Sequence, residues 1–122
     1  MKVKIDTKEK FHVLDIEEVN LSANMTEDFN QKLLIYLEEE IKNVVLKMGA
    51  IKNIDEPAAR NLANIQQMFY DRNASLVICC IKPEVEKYLD KIEILEVLNF
   101  TPTESEAWDI VQMEEIEREL LE

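Results

Sequence analysis

The chain has 122 residues, 47% of them hydrophobic and 33% charged, which suits one domain with a substantial core. Its 26 acidic residues outnumber 14 basic ones for a net charge of −12, which disfavours nucleic-acid and membrane-surface binding and favours partners with basic faces. No stretch approaches the roughly 20 apolar residues of a bilayer span, and Met1-Lys2-Val3-Lys4-Ile5-Asp6 has no signal-peptide core, so a cytoplasmic protein without membrane insertion is expected.

Val3 and Ile5 alternate with Lys2, Lys4 and Asp6, the period-2 pattern of a strand with one wet face. After the polar turn Lys8-Glu9-Lys10, Phe11 to Ile16 reads as a second strand, and the two predict an antiparallel hairpin. Glu17 to Met25 reads as a connector. Thr26 is placed as the cap of a first helix, on which Phe29, Leu33, Leu37 and Ile41 recur at helical spacing. Asn43 to Met48 is the third strand, and Val44-Val45-Leu46 implies a central position covered on both faces. Gly49, the only glycine, marks the exit turn. Ile54-Asp55 then leads into a helix opened by Pro57, with Glu56 as its expected cap. Ala58, Leu62, Ile65 and Phe69 form its apolar stripe, ending near Asp71-Arg72-Asn73.

Ser75 to Ile81 predicts a fourth, fully buried strand, and Pro83 opens a helix carrying Val85, Tyr88 and Leu89. Leu98 to Thr101 reads as a short edge strand. Thr103 caps a last helix, with Glu106 completing a capping box and Ala107, Ile110 and Val111 facing inward. Trp108, beside that stripe, is either half-buried packing or an exposed anchor for a partner. From about residue 112 the helix becomes an acidic extension in which Met113, Ile116, Leu120 and Leu121 are interspersed with Glu114, Glu115, Glu117 and Glu119. It either clasps the domain or forms a homodimer contact. The element order predicts one mixed α/β domain over residues 1–122, with about five mostly parallel strands, an N-terminal antiparallel hairpin and about four helices.

Most catalytic constellations fail on inventory. His12 is the only histidine and lies in a strand, and one glycine cannot build a phosphate loop. His/Cys metal ligand sets are missing, and no cofactor is expected. Cys79 and Cys80 are sequence neighbours inside an apolar run; on a strand they point to opposite faces, so both are expected as buried, unpaired thiols. A phosphoaspartate receiver needs an aspartate at the end of the third strand, where Lys47 and Met48 stand. An enzyme is therefore not expected. The informative place is the junction Asn43 to Leu62, where a buried strand feeds a helix start, a setting whose amides and macrodipole favour negative charge.

In order and spacing, the hairpin start, Asn43-Val44-Val45-Leu46, Ile54-Asp55 before a helix, SLVICCI at Ser75–Ile81, Lys82-Pro83-Glu84-Val85, and Phe100-Thr101-Pro102-Thr103 before Glu106-Ala107 together resemble a STAS domain. That fold is shared by bacterial anti-sigma factor antagonists and the regulatory domain of sulphate transporters. In the family the strand before the second helix ends in an Asp-Ser-Ser-Gly type motif, whose second serine is phosphorylated by a partner kinase to release the partner. Aligning Asp55 with the family aspartate puts Glu56 and Pro57 at the serine positions and Ala58 at the glycine, so the acceptor hydroxyl is missing. The resemblance thus implies a non-catalytic regulatory module that binds a protein partner through Asp55, Glu56, Pro57, Ala58 and Arg60. The partner would be a kinase-like anti-sigma factor or another signalling component. Asp55 and Glu56 supply fixed charge comparable to the −1.5 to −2 or so of a phosphoserine. Alternatively these residues only cap the helix, and the chain is a structural subunit of a sensing assembly or a lipid-transport ATPase complex.

Overall fold

In the computed structural model, which describes residues 1–121, the alternating start of the chain forms the expected hairpin. β1 (Val3–Thr7) runs antiparallel to β2 (His12–Ile16), with Val3 opposite Ile16 and Thr7 opposite His12. Then come a short strand β3 (Asn20–Leu21), a 3-10 turn at Ala23–Met25 and α1 (Thr26–Leu34). β4 (Val44–Lys47), β5 (Asn53–Ile54) and α2 (Glu56–Asp71) are followed by β6 (Leu76–Cys79), α3 (Pro83–Lys91), β7 (Phe100–Thr101) and α4 (Glu104–Leu121). The main sheet has the order β1-β2-β4-β6-β7, and every pairing after the hairpin is parallel. β4 sits at its centre, which its continuous apolar run demands: Val44, Val45 and Leu46 are all fully buried.

Strand alternation sends successive side chains to two unequal cores. Leu14, Ile16, Val44, Leu46, Leu76 and Ile78 face the larger one, where Phe29 and Leu33 of α1, Leu62, Ile65 and Phe69 of α2, and Val85 and Leu89 of α3 cover the sheet. Val13, Val45, Val77 and Cys79 face the other way and are covered by α4 alone, through Ala107 and Val111. Three helices lie on one face and one on the other.

Several local expectations are corrected. The connector Glu17 to Met25 contains β3, which pairs in parallel with β5, Leu21 against Ile54. A two-residue strand carries no readable period. Thr26 is not a side-chain cap; it is the first residue of α1, entered directly from the 3-10 turn. α1 passes into a second 3-10 turn at Ile35–Glu38, so Phe29, Leu33 and Leu37 are buried while Ile41 lies beyond the helix. Gly49 does lie in the exit turn after β4, but it has no positive φ, and a Cβ there would sit 3.5 Å from Cys80 Cβ, an ordinary contact. The position does not demand glycine. β6 stops at Cys79, and Cys80 takes a left-handed φ of 65°, so it is half-buried rather than buried in the strand. Burial, and then neighbouring Cys80, push the Cys79 thiol well above its usual range.

α4 has little apolar surface with which to hold its face, and polar groups clamp it at both ends. At its start, Lys47 Nζ lies 3.0 Å from Glu104 Oε1 and 3.9 Å from Asp15 Oδ2. The hydrogen bond to Glu104 is the main reason the Lys47 ammonium is held above its usual value. Thr103 Oγ1 accepts the Glu106 amide at 3.2 Å, as a cap should, but the Glu106 carboxylate accepts from the Thr101 and Thr103 hydroxyls at 3.0 Å instead of closing the capping box on the backbone. Trp108 is half-buried edge-on to Phe11, with ring centroids 5.3 Å apart, and its Nε1–H donates to Glu104.

At the far end the extension does clasp the domain, but with its polar residues. Glu114 accepts from Ser75 Oγ at 2.6 Å and from Asn99 Nδ2 at 2.9 Å. Glu115 accepts from Asn43 Nδ2 at 2.9 Å and from Arg118 at 2.7 Å. Met113, Ile116, Leu120 and Leu121 are all exposed. The hub is Asn43, buried before β4: its amide also donates to Lys10 O, and its oxygen accepts the Ser75 amide at 2.8 Å and Arg118 at 3.2 Å. Asn43→Ala leaves the buried Ser75 N–H unpaired and is expected to cost about 2 kcal/mol, read from the urea unfolding midpoint. Burial opposes the charge on Glu115, yet the bonds from Asn43 and Arg118 outweigh it and hold the carboxyl below its usual 4.5. A carboxyl depressed in the folded state stabilises above its unfolded value, and that stability is lost as pH falls through the folded value. The wild type should therefore lose stability below pH 4.5 more steeply than Glu115→Gln, in urea melts across that range.

Candidate functional site at the start of the second helix

The chain leaves β4 at Lys47, turns through Met48 to Ile51, and is caught by the small β3–β5 sheet before entering α2. Met48 N–H donates to Cys79 O at 3.1 Å, Lys52 N–H to Val19 O at 2.7 Å and Asp55 N–H to Leu21 O at 3.2 Å. These bonds deliver Asp55 in extended conformation, φ −91° and ψ 169°, as the N-cap of α2. One carboxylate oxygen accepts the Ala58 amide at 3.0 Å. The other accepts the Ala23 amide at 2.9 Å, at the start of the 3-10 turn that leads into α1. One side chain therefore closes two helix starts that are 32 residues apart in sequence.

This arrangement changes the reading of the junction. Asp55, not Glu56, is the cap; Glu56 is the first helical residue and Pro57 the second. Ala59 N–H is bound to Asp55 O at 3.0 Å, Ala58 N–H to the Asp55 carboxylate, and Pro57 has no N–H. Most of the amides that would cradle an anion are thus engaged or absent, and the two carboxylates beside them disfavour an anionic ligand.

Of the residues expected to meet a partner, Glu56, Pro57 and Arg60 are exposed and adjacent on the helix tip. Glu56 and Arg60 form an i,i+4 pair at 3.2 Å, which at this exposure contributes little to stability. Asp55 is half-buried and fully engaged. Ala58 is only 3% exposed and packs in the core, so it leaves the surface set. Sequence reasoning passed over the neighbours from α1: Asn30 and Asn61 exchange side-chain hydrogen bonds of 2.7 and 3.2 Å, locking α1 beside α2, and Ser22 Oγ donates to Asn24 at 2.5 Å next to the capped Ala23. No local pattern announces such long-range amide pairs. His12 is buried, with its ring nitrogens bonded to Thr7 Oγ1 at 2.9 Å and Ile41 O at 3.0 Å, and Tyr36 lies against it. Among the described residues, no group of three or more His, Cys, Asp or Glu side chains is placed to hold a metal ion, and no helix is long and apolar enough to cross a membrane. Asp55→Ala is expected to lower stability by about 2 kcal/mol because two helix starts lose their acceptor, while Asp55→Asn retains about half of it through its one oxygen, as read by urea unfolding.

The sequence model of the STAS domain matches residues 2–107. An anti-sigma factor antagonist from Mycobacterium paratuberculosis superposes with a TM-score of 0.77 at 10% identity, over 91% of this chain and 93% of that one. A serine-to-glutamate variant of RsbS from Moorella thermoacetica gives 0.75 at 22% identity, over 92% of this chain and 96% of that one. The murine anion transporter Slc26a9 gives 0.71 at 14% identity, over 88% of this chain but 18% of that one. No curated protein sequence matches the chain. The mixed five-strand sheet with four helices is the fold of anti-sigma factor antagonists, and the chain belongs to the STAS domain family.

Proposed function

We propose that this chain is a non-catalytic, cytoplasmic regulatory module that binds a partner protein through the exposed tip of α2, with Glu56, Pro57 and Arg60 as the contact residues and Asp55 as their anchor. The observation that supports this reading most strongly is the double cap. Because Asp55 spends both oxygens on backbone amides, the tip is rigid, and rigid tips lose little entropy on docking. The tip carries Glu56 and Pro57 where the family pattern has serines, so those positions have no hydroxyl to phosphorylate, and Glu56 brings a fixed carboxylate there, paired with Arg60. The partner on this reading is a kinase-like anti-sigma factor or another signalling protein with a basic patch, since the chain carries a net charge of −12. Nucleic acid is disfavoured on the same electrostatic ground.

A second reading, a structural STAS subunit within a larger sensing assembly or a lipid-transport ATPase complex, is favoured by the exposed apolar side chains of the α4 extension, which suit a chain with further contacts. Quantitative capture from the native cell, using the full chain and its Glu56→Lys/Arg60→Glu variant as baits, separates the two. Recovery of a kinase-fold anti-sigma factor, reduced tenfold or more by the variant, is the expected result. Recovery of transporter or scaffold subunits, unchanged by the variant, would establish the second reading. Incubation with that kinase and ATP should leave the chain unlabelled; phosphate mapped to Ser22 or Thr26, beside the tip, would overturn the permanently charged surface.

A further inference from the structure

We propose that the groove between the C-terminal ends of α2 and α4 takes a basic amphipathic helix of a partner protein. The groove has a volume of about 930 Å³. Three apolar side chains stand exposed around it: Tyr70 at 75%, Val97 at 54% and Leu121 at 87%. Its exposed charges are acidic, Asp71, Glu96 and Glu117. The one arginine in the lining, Arg118, is turned to Glu115 and Asn43 by hydrogen bonds of 2.7 and 3.2 Å, so it does not neutralise the rim.

Both the floor and the charge select the occupant. Gln66 donates to Leu76 O at 2.9 Å and accepts the Asn99 amide at 3.0 Å, so the backbone along the floor is already paired and does not invite an added strand. The C-terminal ends of α2 and α4 flank the starts of β6 and β7 from opposite faces of the sheet, and an amphipathic helix laid across that gap sets its apolar stripe on Tyr70, Val97 and Leu121 and its Lys or Arg flanks on the rim. A second copy of this chain would bring the same acids and another net charge of −12 to the contact. One wall exists only because α4 continues past residue 107, where the family match ends. The groove also lies toward the opposite end of α2 from Pro57, with Tyr70 about 20 Å away at 1.5 Å per residue. It therefore stands independently of the tip, and one chain has room to engage two partners.

The test is a titration of the isotopically labelled full chain with a synthetic amphipathic peptide of roughly 18 residues, built from leucine and lysine, followed by NMR. Saturable shifts centred on Tyr70, Val97 and Leu121 are expected, with those of Glu56 and Arg60 unmoved. Affinity should fall at least tenfold in Tyr70→Ser/Val97→Ser and likewise in Glu96→Lys/Glu117→Lys; all four positions are exposed or on loops and helix surfaces, and unchanged thermal midpoints confirm folding. A leucine–glutamate peptide with the same apolar stripe should not bind. Shifts spread over the whole acidic surface with affinity unchanged in both variants would overturn the proposal. So would a wild-type dimer in light scattering that Tyr70→Ser/Val97→Ser dissolves, since the groove would then be covered by a second copy.

Discussion

The carboxylate of Asp55 is the contact on which this end of the domain depends. It accepts one amide from the first turn of α2 and one from the 3-10 turn that feeds α1, so it ties together two segments that share no local sequence. Unsatisfied amides at helix starts are costly when water is partly excluded, and a single acid with two oxygens resolves both at once. The consequence for chemistry is direct. Charge that a sequence reader would assign to a ligand site is consumed internally, and what remains outside is a tip of Glu56, Pro57 and Arg60.

The other face of the sheet follows a different physical logic. α4 buries only Ala107 and Val111 deeply, too little apolar surface to define where an 18-residue helix should lie. Polar clamps supply the definition: Lys47 with Glu104 and Asp15 at one end of the strands, and Asn43, Ser75 and Asn99 with Glu114 and Glu115 at the other. Directional bonds of this kind contribute about 1 kcal/mol each, yet they select one register among many that apolar packing would tolerate. Since the clamps use the inward polar residues of the extension, its apolar ones are left facing outward.

The proposed tip and the proposed groove lie at opposite ends of α2. The tip belongs to the part of the chain shared with the STAS family, and the groove by Tyr70 depends on residues beyond the matched segment.

The architecture was legible in the residues themselves. The unbroken apolar run Val44–Leu46 and the stripe Ala58, Leu62, Ile65 and Phe69 report burial through periodicity, which is a local property. The alternation of Val3 and Ile5 located a strand but not a buried face, since Ile5 is exposed, and the strand read over Ser75–Ile81 stops at Cys79. Only the tertiary structure decided what the polar residues do. Asp55, not Glu56, became the cap because Ala23 arrives from 32 residues away to share it, and Ala58 left the surface because α2 docks on the sheet through that side. Glu114 and Glu115 turned inward, against the apolar pattern of the extension, because Asn43, Ser75 and Asn99 wait at the strand starts. Hydrophobic burial is non-directional and can be inferred from composition along one element, whereas a hydrogen bond needs its partner in place, and that partner is known only once the chain has folded.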